Sequence, residues 1–251
     1  MLNRKPKIIA IPFAGGNRYS FTEIDKQLSK NYEWITLELP GRGNRFVEPL
    51  LNDIASMVDD LFDKIKIHII DCDYILYGHS MGTLLGYELV KKIIGANLRR
   101  PVCLFFTGRG APGHSRFVSK KSILAQEPFW KEIKKMGGMP EDFFEQTDLL
   151  DLYYPILRHD FEAVENYIHS PQETPFTIPL YILMGADEIG IKDEKTQVEH
   201  VRAWAVETKA SFNFEILPGD HFFILEQPEI VARKINEAFE ECKEEKVELL
   251  Q

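Results

Sequence analysis

The chain has 251 residues, of which 44% are hydrophobic and 27% are charged, a composition typical of a folded globular protein. Its formal net charge of −9 argues against a general nucleic-acid binder, because phosphate backbones are bound by a surplus of Lys and Arg. No apolar run approaches the roughly eighteen residues of a membrane span, and the N-terminus shows no signal-peptide pattern. Three widely spaced cysteines form neither a disulfide framework nor a zinc pattern. We therefore expect a cytoplasmic protein, with one domain spanning 1–251.

Several short apolar runs predict β-strands, and four of them are nearly continuous, as strands covered on both faces must be. Helical patterns lie between the runs, for example at 54–67 and 81–94, and a closing helix is predicted at 228–242. The alternation predicts an α/β fold with a mostly parallel sheet and helices on both faces. The predicted strands lie at 7–13, 34–39, 74–77, 102–107, 180–184 and 212–217.

The segment at about 108–176 interrupts this alternation. It contains Gly and Pro punctuation and amphipathic helical stretches but no clear strand. We interpret it as a helical insertion between two strands of the sheet. Such an insertion commonly forms a lid over a site at the carboxyl ends of the strands, although an additional helical layer would produce the same pattern.

The sequence GHSMG at 78–82 fits the G-x-S-x-G pattern of a nucleophile elbow, a sharp turn between a strand and a helix. It follows the strand predicted at 74–77 and opens the helix predicted from Met81. The glycines leave room for neighbouring backbone, and the helix N-terminus favours an oxyanion that develops beside Ser80. We therefore expect Ser80 to be a nucleophile. The alternative is an ordinary turn in which Ser80 caps a helix.

The partners of such a serine follow in the order acid, then histidine. His221 lies in LPGDHFF (217–223), directly after the last predicted strand, and it is the only one of seven histidines so placed. We expect it to be the general base. The acid should follow the strand at 180–184, where Asp187 is preferred because Asp is the commoner choice. Glu188 is the alternative, and Asp193 is a third candidate further along the loop.

The loop after the first predicted strand, PFAGGN (12–17), is expected to supply an oxyanion-hole donor. Its paired glycines allow a tight turn, so that a backbone N–H near Ala14 could face the site together with that of Met81. Two glycines after a strand also suggest a phosphate-binding loop, but neither a dinucleotide fingerprint nor a Walker pattern is present. We expect no metal and no bound cofactor.

With these residues identified, the sequence resembles the type II thioesterases that accompany non-ribosomal peptide and polyketide synthases. The resemblance spans nearly the whole chain, and the segment at 136–167 looks like the lid of that family. LPGRGNR makes the match more specific, since generic hydrolase chemistry does not require it. The matching motifs are PFAGG (12–16), LPGRGNR (39–45), GHSMG (78–82), TGRGAP (107–112) and LPGDHFF (217–223).

The resemblance implies Ser80 as nucleophile, His221 as base, and the N–H groups of Ala14 and Met81 as oxyanion hole. It leaves the acid open, because Asp187 lies 34 positions before His221, somewhat further than is usual in the family. It further implies an acyl or peptidyl carrier protein as partner. A monomer is the default for this architecture.

The expected reaction is hydrolysis of acyl thioesters on phosphopantetheinyl carrier proteins through an acyl-enzyme. One alternative is a carboxylester hydrolase with the same triad. Another is a non-catalytic relative acting as a binding protein, which would be expected to have lost the Ser or the His.

Carrier proteins tend to be acidic, so docking needs a local positive surface. The basic residues of the insertion are candidates for this surface, and the alternative is that they are only scattered solvated charges. The candidates are Arg109, Arg116, Lys120, Lys121, Lys131, Lys134 and Lys135.

Overall fold

The computed structural model describes residues 5–114, 120–190 and 196–248. Within these residues the strands are β1 (Lys7–Ile11), β2 (Glu33–Thr36), β3 (Tyr74–His79), β4 (Cys103–Thr107), β5 (Leu180–Gly185) and β6 (Phe212–Leu217). The α-helices are α1 (Thr22–Leu28), α2 (Ile54–Ile65), α3 (Met81–Gly95), α4 (Gln126–Met136), α5 (Thr147–Glu165), α6 (Val198–Arg202), α7 (Phe223–Glu226) and α8 (Pro228–Glu248).

The strands form one parallel sheet in the order β2-β1-β3-β4-β5-β6. From β1 the chain moves to one side to form β2, and from β3 onward it moves to the other side. The order therefore reverses between β1 and β3. In sheets of this kind, a crevice opens at such a reversal outside the carboxyl ends of the strands, and ligands bind there. The loops after β1 and β3 border this crevice.

Helices cover both faces of the sheet. In β1, Ile9 packs with α2 and α3, whereas its neighbour Ile8 packs with α1 and α8. The same alternation occurs in β3, where Leu76 faces the first helical layer and Ile75 faces the second. All four side chains are fully buried, so both faces of these strands are apolar. The predicted α/β fold with a mostly parallel sheet is confirmed.

Several boundaries differ from the predicted ones. β1 ends at Ile11, before Pro12, which has no N–H to donate to a strand ladder. β2 covers only Glu33–Thr36, and α8 continues to Glu248. Helix α1 is an element that the sequence patterns did not single out.

Between β4 and β5, the described residues form α4, α5 and a 3-10 turn at Glu141–Glu145, with no strand among them. This insertion has an apolar cluster of its own that includes Phe129, Trp130 and Phe161. It also reaches the loops at the carboxyl edge of the sheet. A β-carbon on Gly15 would lie 2.6 Å from Cδ2 of Leu157, so α5 packs directly on the loop after β1.

Among the residues described, no helix combines the length and the apolar character needed to cross a bilayer.

Candidate active site

Ser80 occupies the sharp turn between β3 and α3. Its φ of 55° and ψ of −111° place it in a backbone region that non-glycine residues rarely adopt and that is associated with strain at functional sites. The Ser80 N–H donates to the carbonyl oxygen of Thr107 at 2.9 Å, which ties the turn to the end of β4. The hydroxyl consequently lies at the N-terminus of α3, in the crevice where the strand order reverses.

Gly82 permits this turn because it allows α3 to approach β1. A β-carbon at residue 82 would collide with the carbonyl oxygen of Ile11 and would lie 2.8 Å from that of Pro12. Backbone atoms cannot rotate away as a side chain can, so only glycine fits there. The close approach brings the end of β1 beside the serine.

His221 lies between β6 and α7 and joins two side chains that are far away in sequence. Its Nε2 is 2.9 Å from the Ser80 hydroxyl oxygen. Its Nδ1 forms a short hydrogen bond with Oε1 of Glu188. The geometry suits a neutral imidazole that accepts from the serine hydroxyl and donates from Nδ1 to the carboxylate. The His221 and Glu188 side chains are only 19% and 12% exposed, so water has little access to compete for the hydrogen bond between them.

The carboxylate at His221 belongs to Glu188, so the preference for Asp187 is not supported by the geometry. Both residues lie in a 3-10 turn at Ala186–Glu188 that follows β5. Successive side chains of such a turn point about 120° apart, so only one of the two can face the histidine. Asp187 is exposed, and its N–H donates to the carbonyl oxygen of Gly219 at 3.0 Å. Asp193 lies outside the described residues.

Glu188 is held from two sides. While Oε1 contacts His221, Oε2 accepts a hydrogen bond from the N–H of Gly185 at 3.1 Å. Gly185 also lets the two loops meet, since a β-carbon there would collide with the carbonyl oxygen of Asp220. The acid and the histidine are therefore brought together by direct backbone packing of the loops after β5 and β6.

His79 lies fully buried beside His221, with ring centroids 4.9 Å apart. Its Nδ1 is 2.9 Å from the hydroxyl oxygen of Thr107. Burial, together with the neighbouring His221, lowers the pKa of His79 well below its usual value. His79 is thus neutral near pH 7 and forms an uncharged surface against which the His221 ring packs.

The expected oxyanion-hole donors are the backbone N–H groups of Ala14 and Met81. Within the described part of the chain, neither group has a protein acceptor, whereas the neighbouring N–H groups of Gly15 and Gly16 are both bonded. Met81 is the first residue of α3, where N–H groups have no partner inside the helix. An N–H group without a protein acceptor is free to stabilise an oxyanion, so both groups remain candidate donors.

A family model describing a thioesterase domain matches residues 6–239, which is nearly the whole described chain. The chain belongs to the thioesterase family. The match includes the serine turn, the histidine loop and the insertion between them.

This thioesterase is 31% identical over 222 residues to the gramicidin S biosynthesis protein GrsT of Aneurinibacillus migulanus, covering 88% of this chain and 84% of GrsT. Its fold matches the crystal structure of ClbQ from the colibactin NRPS/PKS pathway with a TM-score of 0.88 at 28% identity, covering 96% of this chain and 99% of ClbQ. The fold also matches the structure of the type II thioesterase BorB from the borrelidin biosynthetic cluster, with a TM-score of 0.84 at 27% identity and coverage of 94% of each chain. The resemblance to type II thioesterases is confirmed, and the chain is a thioester hydrolase.

The thioesterase also contains a buried ion pair that the motifs did not reveal, between Arg42 and Asp160. A signal was present in the sequence. Asp160 falls at helical spacing among the apolar residues Ile156, Leu157 and Val164 of α5, and a carboxylate on an apolar face is almost never buried without a partner.

The described residues contain no cluster of three or more His, Cys, Asp or Glu side chains that could hold a metal ion.

Proposed function

We propose that this thioesterase removes acyl groups from the phosphopantetheine arm of carrier proteins, with Ser80, His221 and Glu188 as its catalytic triad. The observation that carries the proposal is the continuous hydrogen-bond chain from the Ser80 hydroxyl through both nitrogens of His221 to Glu188. A serine joined to a base, and a base joined to an orienting acid, is the arrangement that acyl transfer requires.

In the first half-reaction, Nε2 of His221 takes the proton of the Ser80 hydroxyl while the serine oxygen bonds to the thioester carbonyl carbon. The N–H groups of Ala14 and Met81 stabilise the negative carbonyl oxygen. The carbon–sulfur bond then breaks, and His221 returns the proton to the departing thiolate. In the second half, His221 takes a proton from water while the water oxygen bonds to the acyl carbon. The bond from that carbon to the Ser80 oxygen then breaks, and His221 returns the proton to Ser80 as the carboxylic acid leaves. Glu188 keeps the imidazole in the required tautomer throughout.

We interpret the insertion as a lid over this site, within one domain. It contacts loops on two sides of the triad. On one side Leu157 packs on Gly15, and on the other a β-carbon at Gly138 would collide with the ring of Phe222, next to His221. The apolar cluster of the insertion is suited to cover an acyl chain, because apolar surfaces exclude water from an acyl-enzyme.

The carrier-protein substrate is supported by the pathways named for the relatives rather than by a basic surface. Burial lowers the pKa of Arg109 to about 10, and its side chain is not available for docking. Arg116 lies outside the described residues. Lys131, Lys134 and Lys135 each form an ion pair with a glutamate of the insertion. Recognition is therefore proposed to depend on the phosphopantetheine arm entering the site. The enzyme is separately proposed to act as a monomer.

The test compares the wild type with Ser80→Ala on three substrates: an acylated phosphopantetheinyl carrier protein, the matching acyl-CoA and a p-nitrophenyl ester. We expect the carrier protein to be deacylated with the highest kcat/KM and Ser80→Ala to lose at least about 10³-fold. Strong ester hydrolysis with the carrier left acylated would favour a carboxylester hydrolase. If Ser80→Ala matched the wild type on every substrate, the catalytic assignment would be wrong.

A further inference from the structure

Asp160 of α5 binds the loop after β1 through a buried carboxylate. Its Oδ2 accepts a hydrogen bond from the N–H of Gly15 at 2.7 Å. The same oxygen accepts from Nη1 of Arg42 at 2.6 Å, and Oδ1 accepts from Nη2 of Arg42 at 2.7 Å. The side chains of Arg42 and Asp160 are 4% and 0% exposed. One carboxylate therefore joins three parts of the chain, namely the insertion, the loop after β2 and the loop after β1.

The bonded N–H belongs to the residue directly after Ala14. Because a peptide unit is planar, fixing the N–H of Gly15 fixes the plane that joins Ala14 to Gly15. The next N–H, of Gly16, donates back to the carbonyl oxygen of Phe13 at 2.9 Å and closes the turn. Gly15 itself has a φ of 75°, a left-handed conformation that glycine adopts without steric cost. The Ala14 N–H belongs to the preceding peptide unit, whose carbonyl is that of Phe13, so the bonds of Gly15 and Gly16 together restrain the peptide planes on both sides of Ala14.

Arg42 has a separate part in this arrangement. Burying a carboxylate without a cation would cost desolvation free energy, and the two N–H groups of a guanidinium match both carboxylate oxygens. The pair therefore fixes the orientation of the Asp160 side chain. An ionised acceptor forms a stronger bond to the Gly15 N–H than a neutral one would.

We propose that Asp160 is a positioning residue of the oxyanion hole, with Arg42 as its counter-ion. It holds Gly15 so that the Ala14 N–H is directed at the carbonyl oxygen of the substrate. The inference rests on the proposed function, in which Ala14 is an oxyanion donor. Asp160 lies on α5, which is part of the insertion. The insertion therefore covers the site and also helps to position the oxyanion hole.

The double variant Arg42→Met/Asp160→Leu tests this role. Replacing a buried ion pair with apolar side chains of similar size is often neutral or stabilising, so the fold should survive while the acceptor for Gly15 disappears. We expect kcat to fall about 10- to 100-fold, because loss of one oxyanion donor costs about 10²- to 10³-fold. KM for the acylated carrier protein and the melting temperature should stay close to the wild-type values.

A matched control is available in the same segment. Arg45 forms a two-pronged pair with Asp60 of α2, at 2.6 and 2.7 Å, and among the described residues neither side chain forms a hydrogen bond with Ala14, Gly15 or Gly16. The variant Arg45→Met/Asp60→Leu should change the melting temperature but leave kcat within about twofold, as expected for a change that removes no catalytic contact. If kcat simply followed the melting temperature in both double variants, or stayed at the wild-type value in Arg42→Met/Asp160→Leu, the inference would be overturned.

A second measurement needs no variant. In the wild-type protein, the amide proton of Gly15 should exchange with solvent far more slowly than exposed loop amides. Exchange at the rate of an exposed loop would overturn the inference, whether or not the double variant folds. If Ser80→Ala is inactive while Arg42→Met/Asp160→Leu keeps the wild-type kcat, only the positioning role of Asp160 fails; if Ser80→Ala is active, the triad itself fails.

Discussion

At the scale of single residues, Glu188 uses its extra methylene group to reach two partners at once. Its oxygens lie between the His221 ring and the N–H of Gly185, so the carboxylate cannot turn away from the histidine without losing a hydrogen bond. In the proposed triad, this anchoring would let a longer side chain perform the orienting role that a shorter Asp performs in other triads. The preceding Asp187 is fixed by its backbone, and its exposed side chain has no part in this chain of hydrogen bonds.

Replacing each of these two acids by its amide distinguishes them. Glu188→Gln should lower kcat by about 10²- to 10⁴-fold, because an amide that presents its NH₂ group to Nδ1 favours the wrong tautomer of His221. Asp187→Asn should leave kcat within about twofold. Steady-state deacylation of an acyl-pantetheine thioester gives both values without involving carrier-protein docking.

The two amide variants differ by a single sequence position and carry the same change of charge, so each controls for the other. A large loss in Asp187→Asn with an active Glu188→Gln would reverse the assignment of the acid. Equal, small losses in both would show that neither carboxylate orients the histidine.

At the scale of elements, the sequence patterns predicted what depends on neighbours along the chain. The four inner strands, β1, β3, β4 and β5, are buried apolar runs, and the serine turn needs only its strand, its glycines and its helix. The choice between Asp187 and Glu188 was not predictable, since the direction of a one-turn helix depends on the contact between residues 187 and 219. The apolar spacing around Asp160 indicated that this carboxylate needs a partner, but it could not identify Arg42, which lies 118 positions away and meets Asp160 only when the insertion packs on the sheet.

Helix α3 offers a test of how closely the serine turn packs on the sheet, because it contains a confined glycine and an unconfined one. Gly82→Ala would force a β-carbon against the Ile11 carbonyl oxygen and displace the N-terminus of α3 from β1. We expect a loss of unfolding free energy of about 1–3 kcal/mol and a large fall in kcat, since Ser80 and Met81 move with the helix. Urea denaturation and thioester turnover measure the two effects.

The control is Gly95→Ala at the other end of α3. An added β-carbon there has no heavy atom within 4 Å, and alanine is the better helix former. It should raise the unfolding free energy by up to about 1 kcal/mol and leave turnover unchanged. Tolerance of alanine at residue 82 with wild-type turnover would show that α3 does not need its close approach to β1.

At the scale of the whole molecule, charge is the feature that bears on a carrier-protein partner. The chain has a formal net charge of −9, and the basic side chains of the insertion at 131, 134 and 135 are matched by nearby glutamates. Under the proposed function, an acidic carrier protein would approach an enzyme whose formal net charge has the same sign. Repulsion between like charges slows association at low ionic strength and is screened as salt is added.

This predicts the direction of the salt effect on catalysis. Raising the ionic strength from about 0.01 M to about 0.15 M shortens the screening length from about 30 Å to about 8 Å. We expect kcat/KM for an acylated acidic carrier protein to rise several-fold over this range. The matching acyl-pantetheine is uncharged and should show little change, so it separates screening from any effect of salt on the chemistry. If kcat/KM for the carrier protein fell as salt was added, while kcat/KM for the acyl-pantetheine stayed constant, the enzyme would instead have a complementary positive surface. The exposed lysines of the insertion would then be the first residues to neutralise.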